Sequence, residues 1–193
     1  MKAKHVTIAY GRFNPPTIGH EKLIRKVQEQ SKGGDWFIIP SFKVEKGKNP
    51  LPYEYKVDLM EEMFPFAKGH IDKDGCCKTL FIAMSYMFEK GYTDLTFVAG
   101  QDRVSDYTKK FSPVEEGGYN GKMDVARPFS FTTVKVVNAG FRDPDADGAE
   151  GMSASKLRAA ALAGNTRLFM TGLPNTLSAS YKVAVMNKVL ENM

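Results

Sequence analysis

The chain has 193 residues, of which 42% are hydrophobic and 25% charged, with a formal net charge of +5. That length and composition fit one globular domain with a real core and exclude a disordered chain. No run of apolar residues is long enough to span a bilayer, so no membrane partner is expected.

In chain order, Val6–Tyr10 is a short β-favouring apolar run that ends at Gly11 and reads as a buried strand. The next ten residues, Gly11–His20, hold two prolines and two glycines and read as a loop of fixed turns. A helix follows over about His20 to Gln30, because Leu23, Ile24 and Val27 share one face. Trp36–Phe42 reads as a second strand, Tyr53–Phe64 as a helix, and Thr79–Lys90 as a helix closed by Gly91. Leu95–Ala99 is the third strand and Val134–Val137 the fourth. Helices over Ser153–Leu162 and Ser178–Leu190 complete the chain. Residues 103–131, with Gly117-Gly118, Asn120-Gly121 and Pro128, read as a long excursion, either a lid or a surface insertion.

Strands and helices alternate with long connections, which predicts an α/β, Rossmann-like open parallel sheet with helices on both faces. We expect a single domain over 1–193, with the excursion at 103–131 and a C-terminal helical segment at 153–193. Ligands of such sheets bind outside the carboxyl ends of the strands, where Gly11–His20 and Gly100-Gln101-Asp102 fall.

The adjacent Cys76 and Cys77 cannot staple distant segments, and with three scattered histidines they build no zinc site. They read as incidental thiols in a reducing compartment, the cytoplasm. The opening MKAKHVTIAYGRF has no apolar signal stretch, from which we expect no export. Asp143, Asp145 and Asp147 open like a calcium loop, but position twelve is Ala154 and Pro144 intervenes. We expect a solvated turn and no protein-held metal.

The Gly11–His20 loop is no P-loop, since GxxxxGK[ST] and GxGxxG are both missing. It still suits an anion. A helix beginning at His20 directs unpaired N–H groups into it, His20 can donate to a phosphate oxygen, Thr17 adds a hydroxyl and Arg12 a permanent charge. Near the other end, Ser153 or Ser155 can cap a second helix start, with Arg158 one turn in and shaped for phosphate oxygens.

Together these stretches carry a resemblance. Thr17-Ile18-Gly19-His20 resembles the (H/T)xGH signature of the nucleotidylyltransferase superfamily, and the GRFNPPT opening is similar to archaeal-type nicotinamide mononucleotide adenylyltransferases. Met152-Ser153-Ala154-Ser155-Lys156-Leu157-Arg158 resembles their ISxTxxR signature. Asn49-Pro50-Leu51-Pro52-Tyr53-Glu54-Tyr55-Lys56 resembles NPFxxxER, with Lys56 where that family has Arg. The chain also resembles short members found in large tailed bacteriophages, which implies a host cytoplasm.

The resemblance implies transfer of the adenylyl group of ATP to a phosphorylated acceptor, nicotinamide mononucleotide first, with pyrophosphate released. Pantetheine phosphate, a sugar phosphate or a CTP-dependent reaction stay open. It implies His20, Thr17, Arg158 and Arg12 as the catalytic set, and Gly11, Phe13, Asn14, Gly19, Lys56, Ser153 and Ser155 at the nucleotide. Asp102 and Lys43 are implied at the acceptor, with Lys46 a weaker candidate, and Mg2+ is expected to arrive bound to the triphosphate. The competing reading is a non-catalytic nucleotide- or nucleic-acid-binding protein on the same fold. The lack of a concentrated basic run with interleaved aromatics speaks against nucleic acid, and the sequence leaves homo-oligomerisation open.

Overall fold

The computed structural model describes residues 3–140 and 151–193. The Asp143–Asp147 turn lies outside the described residues. The chain divides into two compact units, each assembled from separated stretches. One takes 3–10, Leu23–Ile39 and 74–140; the other takes Gly11–Lys22, Pro40–Lys73 and 151–193.

The first unit is built on a sheet. Strands β1 (His5–Gly11), β2 (Asp35–Pro40), β3 (Asp94–Ala99) and β4 (Thr133–Asn138) lie in the order β2-β1-β3-β4. β1 pairs in parallel with β3, Ile8 opposite Phe97, and β3 in parallel with β4, Phe97 opposite Val136. Leu95 to Ala99 of β3 are all buried, as a central parallel strand covered on both faces requires. Because β1 and β3 run parallel, their carboxyl ends lie at the same end of the sheet. The core gathers Val6, Ile8, Ala83, Met84, Leu95 and Phe97 with three aromatics from further on, Phe111, Phe129 and Phe131.

Helices α1 (Gly19–Ser31), α2 (Tyr53–Met63) and α3 (Leu80–Glu89) fall within a residue or two of their expected places. Thr79 caps α3 by accepting from the Ile82 N–H at 3.3 Å. The second strand ends at Pro40, two residues short of the expected Phe42, because Ser41 already turns its N–H to the Gly11 carbonyl at 2.7 Å. No helix among the described residues is long and apolar enough to cross a membrane.

The excursion at 103–131 needs correction. Its first part lies in a helix, α4 (Gln101–Phe111), whose narrow stripe of Val104, Tyr107 and Phe111 is hidden among charges in the sequence. Tyr107 and Phe111 pack on Phe97 with ring centroids at 4.7 and 5.1 Å. The remainder is bonded to itself. Asn120 donates to the Phe131 carbonyl at 3.0 Å and accepts from the Phe131 N–H at 2.8 Å, while Phe129 and Phe131 are buried. Both ends of this segment therefore supply core, through Phe111 at one and Phe129 and Phe131 at the other.

The second unit holds α2, α5 (Ala154–Leu162), α6 (Thr166–Thr171) and α7 (Ala179–Leu190). Ser153, Asn165 and Ser178 cap the last three through their side-chain oxygens. The six-residue α6 was not legible in the sequence.

Candidate active site

The site residues converge within the second unit, around the loop Gly11–His20. Phe13 holds a positive φ of 45°, a region non-glycine residues seldom adopt. A Cβ on Gly11 would stand 2.9 Å from the Phe13 ring, so glycine is needed there for the ring to fold back. The ring then packs against His20 at 4.9 Å between centroids. Outliers of this kind cost energy and cluster where a loop must present groups in one fixed geometry.

His20 sits in the first turn of α1, which opens at Gly19. The Thr17 N–H donates to Nδ1 of His20 at 2.9 Å, and the Thr17 hydroxyl lies 3.0 Å from the same nitrogen. A nitrogen that accepts from a backbone N–H carries no proton of its own, so the neutral ring carries its proton on Nε2. Thr17 therefore acts by setting the tautomer and aim of His20. Its own side chain is buried.

Arg158, on α5, reaches back to this loop. Its Nη1 donates to the Asn14 carbonyl at 2.8 Å and its Nη2 to the Ser155 hydroxyl at 3.1 Å. Burial lowers the Arg158 pKa, and the nearby Arg12 guanidinium lowers it further. Arg12 is exposed, and among the described residues no carboxylate pairs with either guanidinium. Two arginines drawn together, with no acid paired to either among the described residues, are an arrangement that suits an anion.

Three expected nucleotide contacts take another part. Phe13, Asn14 and Lys56 are 2%, 1% and 1% exposed. Asn14 spends its amide on Leu51, donating to its carbonyl at 3.1 Å and accepting from its N–H at 2.9 Å. Lys56 donates to the carbonyls of Arg12 at 2.9 Å and Ser41 at 2.5 Å. These side chains face inward and build the loop. Ser153 is committed to capping, accepting from the Lys156 N–H at 2.9 Å, and Ser155 to Arg158.

The two acceptor candidates, Lys43 and Asp102, belong to different units. Lys43 is exposed and paired to Glu45 at 2.8 Å, which holds that carboxyl below its ordinary pKa. Asp102 belongs to the sheet unit, exposed in the first turn of α4. Lys46 is exposed.

Two residues at this site carry no chemical motif that sequence reading could seize. Gly172 accepts from the Ile18 N–H at 2.9 Å, next to Gly19 and His20, and a Cβ there would meet Leu157 Cδ1 at 2.1 Å. Ser41 is buried, with its hydroxyl unpartnered among the described residues.

Residues 8–160 match the model of the cytidylyltransferase-like family. Over 104 residues the chain is 31% identical to an Acholeplasma laidlawii (strain PG-8A) protein provisionally named nicotinate-nucleotide adenylyltransferase, a stretch covering 51% of this chain. The match spans 55% of that relative's length. A Vibrio parahaemolyticus protein with the same provisional name has a similar fold, at TM-score 0.50 and 18% identity, covering 83% of this chain and 88% of that one. TmcAL of Thermotoga maritima, bound to alpha-thio ATP, aligns at TM-score 0.50 and 12% identity, covering 97% of this chain and 56% of its own. At such identities the two solved structures speak to fold alone.

Proposed function

Because this chain belongs to the cytidylyltransferase-like family, we propose that it transfers the adenylyl group of ATP to the phosphate of a pyridine mononucleotide, releasing pyrophosphate. An oxygen of the acceptor phosphate attacks the α-phosphorus, the bond to the β-phosphate bridge breaks, and the electron pair leaves on pyrophosphate. The protein contributes no nucleophile. It aligns two polyanions and offsets the charge that grows on the leaving group.

The arginine pair carries this reading. Arg12 and Arg158 have no carboxylate counter-charge among the described residues, and Arg158 is tied through Asn14 to the loop that holds His20. In the reaction Nε2–H of His20 donates to an oxygen of the triphosphate, Arg158 grips the β- and γ-phosphates, and Arg12 closes the cationic side. The loop Gly11–His20 and residues 151–158 contain no carboxylate. Magnesium therefore enters as part of MgATP, its ligands phosphate oxygens and water. Nicotinamide mononucleotide is the acceptor that the GRFNPPT wording favours, and the name of the Acholeplasma laidlawii relative points to its nicotinate form.

The test is pyrophosphate release with MgATP or MgCTP against nicotinamide mononucleotide, nicotinate mononucleotide, pantetheine phosphate and a sugar phosphate. Release with ATP and a pyridine mononucleotide, and none without acceptor, is expected. Release only with another pair would reassign the substrates, and none anywhere would remove the enzyme reading.

A further inference from the structure

Lys56 is a cation in the wrong place for a ligand contact. It is 1% exposed, with no carboxylate paired to it among the described residues. An uncompensated buried ammonium is costly, and an apolar side chain is the ordinary occupant of such a site. Its bonds say what the charge does. Nζ donates to the carbonyl of Arg12, one residue past β1, and to the carbonyl of Ser41, one residue past β2. The Tyr53 ring lies nearby, its centroid 5.8 Å from Nζ. Alongside, the Ser41 N–H donates to the Gly11 carbonyl at 2.7 Å. The two loop beginnings are thus stitched twice, once backbone to backbone and once through this lysine. A carbonyl drawn inward fixes the peptide plane that follows it, so the bond to the Arg12 carbonyl constrains how Arg12 and Phe13 are presented.

We propose that Lys56 is a positioning residue for the transfer reaction, its buried ammonium tying the Arg12 and Ser41 carbonyls together so that Arg12 is held toward the phosphates. The inference rests on the function proposed above. It also reassigns Lys56, whose ammonium is spent on two backbone carbonyls and acts through the backbone of its neighbours.

Burial pushes the Lys56 pKa down to about 8. The groups facing it are Arg12 from the loop and Tyr53 from its own helix. The Ser41 segment offers a carbonyl, its nearest cation, Lys43, being paired to Glu45. Above that pH the ammonium becomes an amine, and two charge-assisted bonds become ordinary ones.

The experiment compares wild type, Lys56→Arg and Lys56→Met in kcat/KM for MgATP from pH ~7 to ~10, with melting curves to confirm folding. Wild type is expected to lose roughly tenfold along an alkaline limb centred near 8. Lys56→Arg keeps its charge and should lose that limb; Lys56→Met should be roughly tenfold slower throughout, without it. A limb unchanged in Lys56→Arg, or full turnover in Lys56→Met, overturns the proposal. Exchange of the Ser41 amide, followed by NMR and corrected for intrinsic pH dependence, reads the clip without any turnover. Its protection should fall in Lys56→Met and in wild type above pH ~8. Loss of protection in a protein that turns nothing over would strike the function and spare the clip. Unaltered protection in an active enzyme would strike the clip alone. Should Lys56→Met not fold, the wild-type and Lys56→Arg profiles decide.

Discussion

The sheet unit and the loop-and-helix unit both bury apolar side chains, Phe64, Leu157 and Phe169 among them in the second, but the second adds a set of polar tethers. In the first, Phe97 is wholly buried and meets Tyr107 and Phe111 ring to ring, and the core continues through Phe129 and Phe131. In the second, much of the order comes from polar side chains that end on backbone carbonyls. Asn14 donates to Leu51, Lys56 to Arg12 and Ser41, and Arg158 to Asn14. Lys182, itself buried, donates to Met170 and Leu173. The contrast follows from what each unit is made of. Strand carbonyls find partners in the neighbouring strand, whereas loop carbonyls that are buried must find a side chain. A unit organised by such tethers can hold cations near one another in a fixed geometry, which an apolar core cannot do.

The sharpest break in that contrast comes from Phe97→Ala. Removing a fully buried aromatic from the sheet unit is expected to cost about 3–5 kcal/mol of stability. Turnover per folded molecule should stay near wild type. Thermal or urea unfolding, paired with a rate corrected for the folded fraction, checks both halves. A stable variant with crippled turnover would mean that the sheet unit tunes the chemistry directly.

His20→Ala probes the other side. It removes the Nε2–H donor, and a donor aimed at developing charge is typically worth about 10²–10³ in kcat. Stability should fall by about 1–2 kcal/mol, less than in Phe97→Ala, as the bond from Thr17 and the ring contact with Phe13 are lost. If stability fell as far as in Phe97→Ala while turnover survived, His20 would belong to the scaffold and the contrast would fail.

The same division explains what the sequence disclosed. Periodic apolar residues placed β1, β3, α1, α2 and α3 to within a residue or two, because burial leaves its period in the chain. The motif pair Thr17–His20 and Ser153–Arg158 pointed to one site, and Arg158 does meet the loop that carries His20, through Asn14. Two things were illegible. Helix α4 was hidden because its inward stripe is only Val104, Tyr107 and the buried Phe111, set among charges. The inward parts of Phe13, Asn14 and Lys56 were hidden because residue type cannot say whether a cation meets a phosphate or a carbonyl. Both need a positive charge, and only the direction of the side chain separates them.

Ser41 gives the finest test of that separation. Its hydroxyl is buried with no partner among the described residues, while its backbone N–H and carbonyl are both spent on the stitch to Gly11 and Lys56. If the residue serves the scaffold only through its backbone, Ser41→Ala breaks no hydrogen bond and relieves a buried polar atom. Stability should then change by less than ~0.5 kcal/mol, or rise slightly, and KM for MgATP should hold. A raised KM with stability unchanged would give the hydroxyl to the nucleotide. Its buried hydroxyl would then find its partner in the ligand, and the loop-and-helix unit would bind by its tethers as well as by its cations.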